Sequence, residues 1–301
     1  MNIGRKTAIS ALLSTLVLSF LTPAQSNRSN HGTNMEGTVL SVTAFRDDKK
    51  ADPIKVENLA LYENGIEQKI KNFAIDPSPS RIAIIVDNSQ TLQTSVEKMQ
   101  KAAMEFAYEI FDGDQLFTLA YDEHAEIIQE WTDDAKKMEA AFATFRKKGN
   151  PFLFDALNDT FKEVLLPLMP GTRKTAIVII SDGLDRGSKI SFDLMLAELQ
   201  NHNVTVYGLQ LPDRTGGAYR RDKPKAASVM VRLAEETGGK VWPLEEAQTA
   251  AKAICDELRK NRYLLSYVPT NSSSFDARKL FLIGDQGISV RLKSAIPPNV
   301  K

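Results

Sequence analysis

The sequence predicts an α/β protein built on a mostly parallel sheet that helices cover on both faces. Two continuous apolar runs, residues 82–86 (IAIIV) and 175–180 (TAIVII), are typical of strands that are buried on both sides. Between residues 81 and 258, strand-like segments alternate with amphipathic segments at helical spacing. Strands that alternate with helices form parallel sheets, because each connecting helix packs back onto the sheet.

The elements of this α/β region follow from the same patterns. Thr94 and Glu97 fit a capping box that would start the first helix. Residues 116–121 and 125–130 are joined by a tight turn, so these two strands should pair antiparallel. Strands are predicted at residues 82–86, 116–121, 125–130, 175–180, 204–211 and 240–242. Helices are predicted at residues 95–111, 134–145, 154–166, 192–201, 228–237 and 245–258.

Strand-rich segments flank this region on both sides. Residues 37–76 contain a run in which Leu40, Val42 and Ala44 alternate with other side chains, and a turn signal at Asn64-Gly65. The proline-rich residues 76–80 form a plausible domain boundary. Strands are predicted at residues 37–45, 59–62, 68–73, 262–268, 279–283 and 288–292. Because each set is too small to fold alone, residues 37–76 and 262–293 are expected to pair into one small β unit.

The first 24 residues have the pattern of a secretory signal peptide. Arg5 and Lys6 precede an uncharged run of about 14 residues, and Thr22 and Ala24 are spaced as at a cleavage site. The run is shorter than the roughly 20 residues that cross a bilayer. The sequence therefore predicts an exported protein, periplasmic or extracellular, without a membrane span in its mature form; an uncleaved anchor is the alternative. Residues 25–36 are typical of a flexible linker.

Composition excludes several classes of protein. With 43% hydrophobic and 25% charged residues, the 301-residue chain is neither wholly disordered nor collagen-like. Lys+Arg and Asp+Glu both number 38, so the chain lacks the basic excess that nucleic-acid binding usually needs. A single cysteine, Cys255, excludes an internal disulfide and a thiolate zinc site.

Polar side chains follow the two apolar strands. Asp87, Ser89 and Thr91 come directly after the first strand, and Asp182 follows the second. In open parallel sheets, ligands bind beyond the carboxyl ends of the strands where the strand order reverses. Carboxylate and hydroxyl oxygens are hard ligands that suit Mg²⁺, Mn²⁺ or Ca²⁺. The alternative is a polar turn in which Ser or Thr caps the next helix.

These residues resemble a known family. Residues 87–91 (DNSQT) resemble the Asp-x-Ser-x-Ser/Thr motif of von Willebrand factor type A (VWA) domains, and residues 181–183 (SDG) resemble their later metal-site aspartate. Residues 61–65 (LYENG) and 263–270 (YLLSYVPT) are similar to flanking stretches of secreted bacterial VWFA-related proteins. The α/β part of the resemblance covers about three-fifths of the chain.

The resemblance implies a Rossmann-like, doubly wound sheet of six strands with one antiparallel edge strand, over residues 81–258. It also implies a non-enzymatic protein-binding or adhesion module with a metal-ion-dependent adhesion site. In such a site a partner's carboxylate completes the coordination of a divalent cation. The ligand roles transfer to Asp87, Ser89, Thr91 and Asp182.

One loop departs from the family pattern Gly-Thr-x-x-x-Asp-Ala. Residues 149–156 (GNPFLFDA) place Pro151 where the Thr ligand would stand, and proline has no side-chain oxygen. The amide oxygen of Asn150 could substitute, or water could fill the position. Two alternatives therefore stay open: a degenerate site that still takes Mg²⁺, Mn²⁺ or Ca²⁺, and a cation-free VWA scaffold for protein interaction.

Two further hypotheses concern partners and catalysis. Residues 213–225 hold five basic residues, of which Arg220 and Arg221 with Tyr219 suit a rim that attracts an acidic partner protein; a solvated loop is the alternative. The other hypothesis is a Mg²⁺-dependent phosphoryl hydrolase with Asp87 as nucleophile. That chemistry wants a second acid two residues later, where Ser89 stands, so no catalytic residue is predicted.

Overall fold

The computed structural model describes residues 37–47, 52–143, 145–169, 174–215, 224–270 and 275–298. The predicted signal peptide, residues 1–24, and the predicted linker, residues 25–36, lie outside these ranges. No helix within them is both long and apolar enough to cross a membrane.

The elements of the described residues are as follows. The strands are β1 (Thr38–Arg46), β2 (Leu59–Glu63), β3 (Ile66–Gln68), β4 (Ile70–Ile75), β5 (Ser80–Asp87), β6 (Gln115–Tyr121), β7 (Ala125–Thr132), β8 (Lys174–Ser181), β9 (Thr205–Gln210), β10 (Val241–Pro243), β11 (Arg262–Tyr267), β12 (Arg278–Gly284), β13 (Ile288–Arg291) and β14 (Ala295–Ile296). The helices are α1 (Val96–Glu109), α2 (Ala135–Phe142), α3 (Leu153–Asp159), α4 (Phe192–Asn201), α5 (Ala226–Thr237) and α6 (Ala247–Lys260).

A six-stranded sheet with the order β10-β9-β8-β5-β6-β7 forms the centre of the fold. All neighbouring strands are parallel except β7, which pairs antiparallel with β6 at the edge. This confirms the predicted fold class, a doubly wound, mostly parallel α/β sheet. The chain enters the sheet at β5, moves to one side through β6 and β7, and returns to the other side at β8. The strand order therefore reverses between β5 and β8.

Helices cover both faces of this sheet, and the strand sequences explain why. In β5, Ile82, Ile84 and Val86 belong to the cluster that contains side chains of α1, α2 and α6. Ala83 and Ile85 belong to the opposite cluster, with side chains of α3, α4 and α5. Both clusters are buried, which accounts for the unbroken apolar sequence. Each fully buried Ile contributes about 1.5–3 kcal/mol relative to an exposed one.

Two sequence-based details differ in the structure. Helix α1 begins after Ser95, whose side chain accepts a hydrogen bond from the backbone N–H of Lys98; the capping box predicted at Thr94 and Glu97 is wrong by one residue. The single helix predicted over residues 154–166 is shorter: α3 ends at Asp159, and a π-helical turn follows over Thr160–Leu165. The hydroxyl of Thr160 donates to the carbonyl of Ala156, which satisfies a backbone acceptor at this change of helix type.

The flanking strands form two four-stranded sheets, β13-β1-β11-β4 and β14-β12-β2-β3. β1 pairs antiparallel with β11, and β2 pairs antiparallel with β12, so segments before and after the central sheet are interleaved. Apolar side chains from both sheets meet in one buried cluster, which includes Leu40, Leu61, Leu265 and Leu282. The β unit is thus a small sandwich. The strand predicted at residues 68–73 is divided between β3 and β4, which belong to different sheets.

Candidate functional site

The two aspartates lie side by side at the point where the strand order reverses. Asp87 ends β5 and Asp182 follows β8, and these strands are in register through the pairing of Val86 with Ile180. Both carboxylates are fully buried. Gly183 then turns the chain with φ of 83°, and a Cβ at this position would lie 2.2 Å from the carbonyl oxygen of Ala226. Only glycine allows the start of α5 to pack this closely behind Asp182.

Local hydrogen bonds hold the carboxylate of Asp87 in place. Its Oδ1 accepts from the backbone N–H of Ser89 at 2.9 Å and from the Ser89 hydroxyl at 2.5 Å. Its Oδ2 accepts from the hydroxyl of Ser181 at 3.2 Å, and Ser181 in turn accepts from the Tyr121 hydroxyl at 2.9 Å. The carboxylate is therefore oriented by β5, β6 and β8 together, before any ligand is considered.

The space between the two aspartates is filled by Arg214, four residues beyond the end of β9. Its side chain is only 3% exposed. Nε donates to Asp182 Oδ2 at 2.7 Å, and one Nη donates to Asp182 Oδ1 at 2.8 Å and also to Asp87 Oδ2. The other Nη donates to Ser89 Oγ at 2.5 Å and to Thr91 Oγ1 at 2.9 Å. All five N–H groups of the guanidinium thus have an acceptor.

These contacts decide whether a divalent cation fits among the residues present. The four side chains that would ligate it, Asp87, Ser89, Thr91 and Asp182, are brought together as the sequence predicted, but each is engaged by Arg214. A guanidinium and a metal ion cannot occupy the same volume, so a cation does not fit while Arg214 is in place. Elsewhere in the described residues, no group of three or more His, Cys, Asp or Glu side chains could hold a metal ion.

The charges of the site follow from burial and from Arg214. Burial raises the pKa of Asp87 above its ordinary value, and the charge of Arg214 and the hydrogen bonds from Ser89 offset this only in part. Burial by itself lowers the pKa of the Arg214 guanidinium, but its hydrogen bonds and ion pairs with Asp182 and Asp87 outweigh that effect and raise the pKa. Arg214 is therefore charged, and one guanidinium faces two carboxylates.

The loop that departs from the family pattern makes hydrogen bonds of its own in the structure. It lies beside the site, because the backbone N–H of Gln90 donates to the carbonyl of Gly149 at 3.1 Å. The side-chain amide nitrogen of Asn150 donates to Glu123 Oε1 at 2.7 Å. The carbonyl of Pro151 accepts from the backbone N–H of Arg186 at 2.8 Å. The role of the Asn150 oxygen as a ligand in place of Thr stays a prediction.

The sequence reasoning missed Arg214 as a member of the site and counted it only among the basic residues of a loop. A signal was available: it follows β9, the neighbour of β8, at the same edge of the sheet as both aspartates. The residues predicted to form a partner-binding rim, Tyr219, Arg220 and Arg221, lie outside the described residues.

Comparisons with known proteins bear on the fold. No protein-family model matches the sequence, and no curated protein matches it. Among solved structures, a von Willebrand factor type A protein from Catenulispora acidiphila is similar over 80% of this chain and 73% of that one, with 10% identity and a TM-score of 0.51. This likeness shows that the chain contains a domain with the VWA fold, as the motif resemblance implied.

Two further structures are similar at lower TM-scores. An aerotolerance-related membrane protein from Bacteroides fragilis matches 60% of this chain and 99% of that one, with 19% identity and a TM-score of 0.46. Proximal thread matrix protein 1 from the mussel byssus, with a zinc-occupied MIDAS motif, matches 67% of this chain and 50% of that one, with 13% identity and a TM-score of 0.47.

Proposed function

We propose that the protein is an exported protein-interaction module of the VWA type that works without a divalent cation between β5 and β8. One observation carries this proposal: Arg214 engages every side chain that the resemblance assigns to the cation. The VWA fold and the motif resemblance support the broader class, a non-enzymatic binding protein. Export rests on the signal-peptide pattern of residues 1–24.

The geometry also bears on how a partner is recognised. In a metal-dependent site, an acidic side chain of the partner would enter the coordination of the cation. Here Arg214 has no N–H group left to offer, and Asp87 and Asp182 lie buried beneath it. A partner carboxylate is therefore expected to find no ligand position in this pocket. Partner contacts fall instead on the loops around it, where Thr91 is exposed.

The alternative of a phosphoryl hydrolase receives no support from this arrangement. A nucleophilic Asp87 would need an oxygen accessible to the phosphorus atom of a substrate. Both of its oxygens accept hydrogen bonds, from Ser89, Ser181 and Arg214, and its exposure is 0%. A substrate has no open approach to this carboxylate.

The proposal is tested by the effect of a chelator on partner binding. The full exported chain, purified and tagged, is used as bait in an extract of its own source cells, in excess EDTA and in millimolar Mg²⁺. The same partner should be retained in equal amount under both conditions. Partner binding that is lost in EDTA and restored by Mg²⁺ would contradict the cation-free mechanism, whatever the partner is.

A further inference from the structure

The guanidinium of Arg214 reproduces the contacts of a cation with unusual completeness. It reaches two carboxylates and two hydroxyls, which belong to two separate parts of the chain, residues 87–91 and Asp182, while Arg214 itself comes from a third. With Asp182 it forms the two-pronged pair in which Nε and one Nη each bond a different carboxylate oxygen, the strongest geometry for this type of ion pair. No polar atom of Arg214's side chain is left to solvent or to another ligand.

The position of Arg214 is fixed by its own backbone as well. Its N–H donates to Asp182 Oδ2 at 3.2 Å. Just before it, the N–H of Leu211 donates to the carbonyl of Ser181 at 2.9 Å, and the side-chain amide of Gln210 donates to the carbonyl of Asp182 at 3.1 Å. The segment that carries Arg214 is thus tied to the end of β8, so the guanidinium enters the pocket already oriented.

Both carboxylates are also held by groups other than Arg214. Asp87 is held by Ser89 and Ser181, and Asp182 Oδ1 accepts from the backbone N–H of Leu184 at 3.1 Å. Without the guanidinium, two buried carboxylates would face each other with no compensating charge, which is strongly unfavourable. A set of preformed hard oxygen donors with an excess of negative charge is what Mg²⁺ and Mn²⁺ prefer.

We propose that Arg214 is the resident cation of this site, that it excludes divalent metal ions by occupying the same four side chains, and that its removal uncovers a Mg²⁺ or Mn²⁺ site. This inference deepens the proposed function and rests on it. It also explains why Pro151 can stand where the family pattern has a Thr ligand. When the guanidinium of Arg214 is the cation, a further oxygen ligand from that loop is not needed.

The competition has a measurable size. A metal ion can bind the wild-type pocket only in molecules whose guanidinium has left it, so the apparent affinity is reduced by that fraction. If Arg214 is displaced in about 1% of molecules or fewer, its removal tightens metal binding by about 100-fold or more.

The experiment titrates the full exported chain with Mn²⁺ and Mg²⁺ alone, by calorimetry and, for Mn²⁺, by electron paramagnetic resonance. Arg214→Ala and the bulkier Arg214→Met are compared with the wild type after circular dichroism has shown that they are folded. Both variants should bind one metal ion at least about 100-fold more tightly than the wild type. Adding Asp87→Asn to Arg214→Ala should abolish the gain.

The matched control is Arg186→Ala, which removes an exposed arginine from the loop after Asp182 without opening the pocket. It should leave metal binding unchanged, which separates direct competition from a general change in charge. If an Arg214 variant is unfolded or only marginally stable in metal-free buffer, its folding and thermal stability are followed as Mn²⁺ is added. The inference predicts stabilisation by Mn²⁺ in the variant and none in the wild type.

The outcomes separate the two proposals. Folded Arg214 variants that bind no metal, while partner binding by the wild type resists EDTA, overturn this inference and leave the proposed function standing. Wild-type and variant proteins that bind metal equally well also overturn it. A wild type that binds metal weakly and loses its partner in EDTA, with variants that bind about 100-fold more tightly, supports the competition and contradicts the cation-free function.

Discussion

Two arginine–carboxylate centres in the described part of the chain have opposite compositions. At the carboxyl ends of β5 and β8, the single guanidinium of Arg214 faces the carboxylates of Asp87 and Asp182. Where the central sheet meets the β-sandwich, the single carboxylate of Glu257 faces the guanidinium groups of Arg262 and Arg291. The first centre has an excess of negative charge, and the second has an excess of positive charge.

The two centres also differ in the elements that carry them. Glu257 lies on α6, Arg262 on β11 and Arg291 on β13, and the carboxylate also accepts from the hydroxyls of Tyr207 and Thr43, both at 2.6 Å. Every member stands on a helix or a strand, and together they join the central sheet to the sandwich.

In the first centre the carboxylates stand at strand ends, whereas the cation stands on a loop. A centre built wholly on regular elements fastens two parts of a fold together. A centre whose cation comes from a loop can exchange that cation for another by a single substitution. The comparison therefore predicts that the second centre supports stability alone, and that the first also responds to metal ions.

The largest effect is expected for Glu257→Ala, which leaves the buried guanidinium of Arg262 and the partly exposed guanidinium of Arg291 without their carboxylate. Breaking a buried ion pair from one side costs about 3–5 kcal/mol, so the free energy of unfolding in urea should fall by that amount. Mn²⁺ should restore none of it. The control is Asp256→Ala, which removes the exposed pair with Lys260 on the same helix and should cost less than about 1 kcal/mol. An equal decrease in the free energy of unfolding of Glu257→Ala and Asp256→Ala would contradict a special role of the buried Glu257 centre in stability.

A buried cation that pairs with no carboxylate among the described residues provides a reference for both centres. Lys293 is 5% exposed and donates to the carbonyl of Gln200 at 2.6 Å. Burial, with a smaller effect of the Arg278 charge, lowers the pKa of Lys293 to about 8. Between this value and the higher pKa of the unfolded chain, the unfolded state binds more protons, so this group makes the protein more stable as pH rises.

Relative to Lys293→Met, the wild type should therefore gain about 3 kcal/mol of unfolding free energy between pH 7 and pH 10.5, because each unit of pKa shift corresponds to about 1.4 kcal/mol. The difference between the two proteins is measured by urea unfolding at several pH values, so that other titrating groups cancel. A constant difference across this range would show that Lys293 keeps its charge in the folded state.

A smaller loss of stability is expected for Arg214→Met in metal-free buffer. Removing the guanidinium leaves two buried carboxylates without a cationic partner. Because one of these carboxylates can take up a proton, the free energy of unfolding should fall by only about 2 kcal/mol, which is less than for Glu257→Ala. Urea unfolding with and without Mn²⁺ measures this cost. If Mn²⁺ restores the lost stability of Arg214→Met but not that of Glu257→Ala, the two centres differ in their response to metal ions as predicted. If Mn²⁺ restores stability in neither variant, the predicted difference is contradicted.

The sequence predicted most of the central fold because its signals are local. The apolar runs at residues 82–86 and 175–180 are long enough to identify strands buried on both faces, and turn chemistry predicted the antiparallel edge strand. The convergence of Asp87 and Asp182 followed from the rule for parallel sheets. The division of the flanking strands into two sheets was not predictable, because strand partners far apart in sequence leave no local signal at residues such as Gln68 and Ile70.

Arg214 shows why the chemistry of the site was harder to predict than its location. Residue types and spacing indicate which side chains come together, and they did so for Asp87, Ser89, Thr91 and Asp182. They do not indicate whether a long, flexible arginine from a third strand end turns inward or outward. Besides the position of Arg214 after β9, the sequence offered one local hint, Pro151, which removes a ligand and so weakens the case for a metal ion without indicating what replaces it.

The pairing of β1 with β11 sets an order in which the chain can be completed. Thr38 pairs with Tyr267, so β1 has no partner until nearly all of the described chain has been synthesised. The strands of the central sheet lie between residues 80 and 243, and they can assemble while β1 is still unpaired. During that interval the backbone N–H and C=O groups of β1 are unpaired, and the apolar side chains of Leu40 and Val42 are not yet buried. Unpaired strand edges of this kind are sites at which chains aggregate. The synthesis of β11 and β13 therefore determines when β1 is paired and can no longer associate with other copies of the chain.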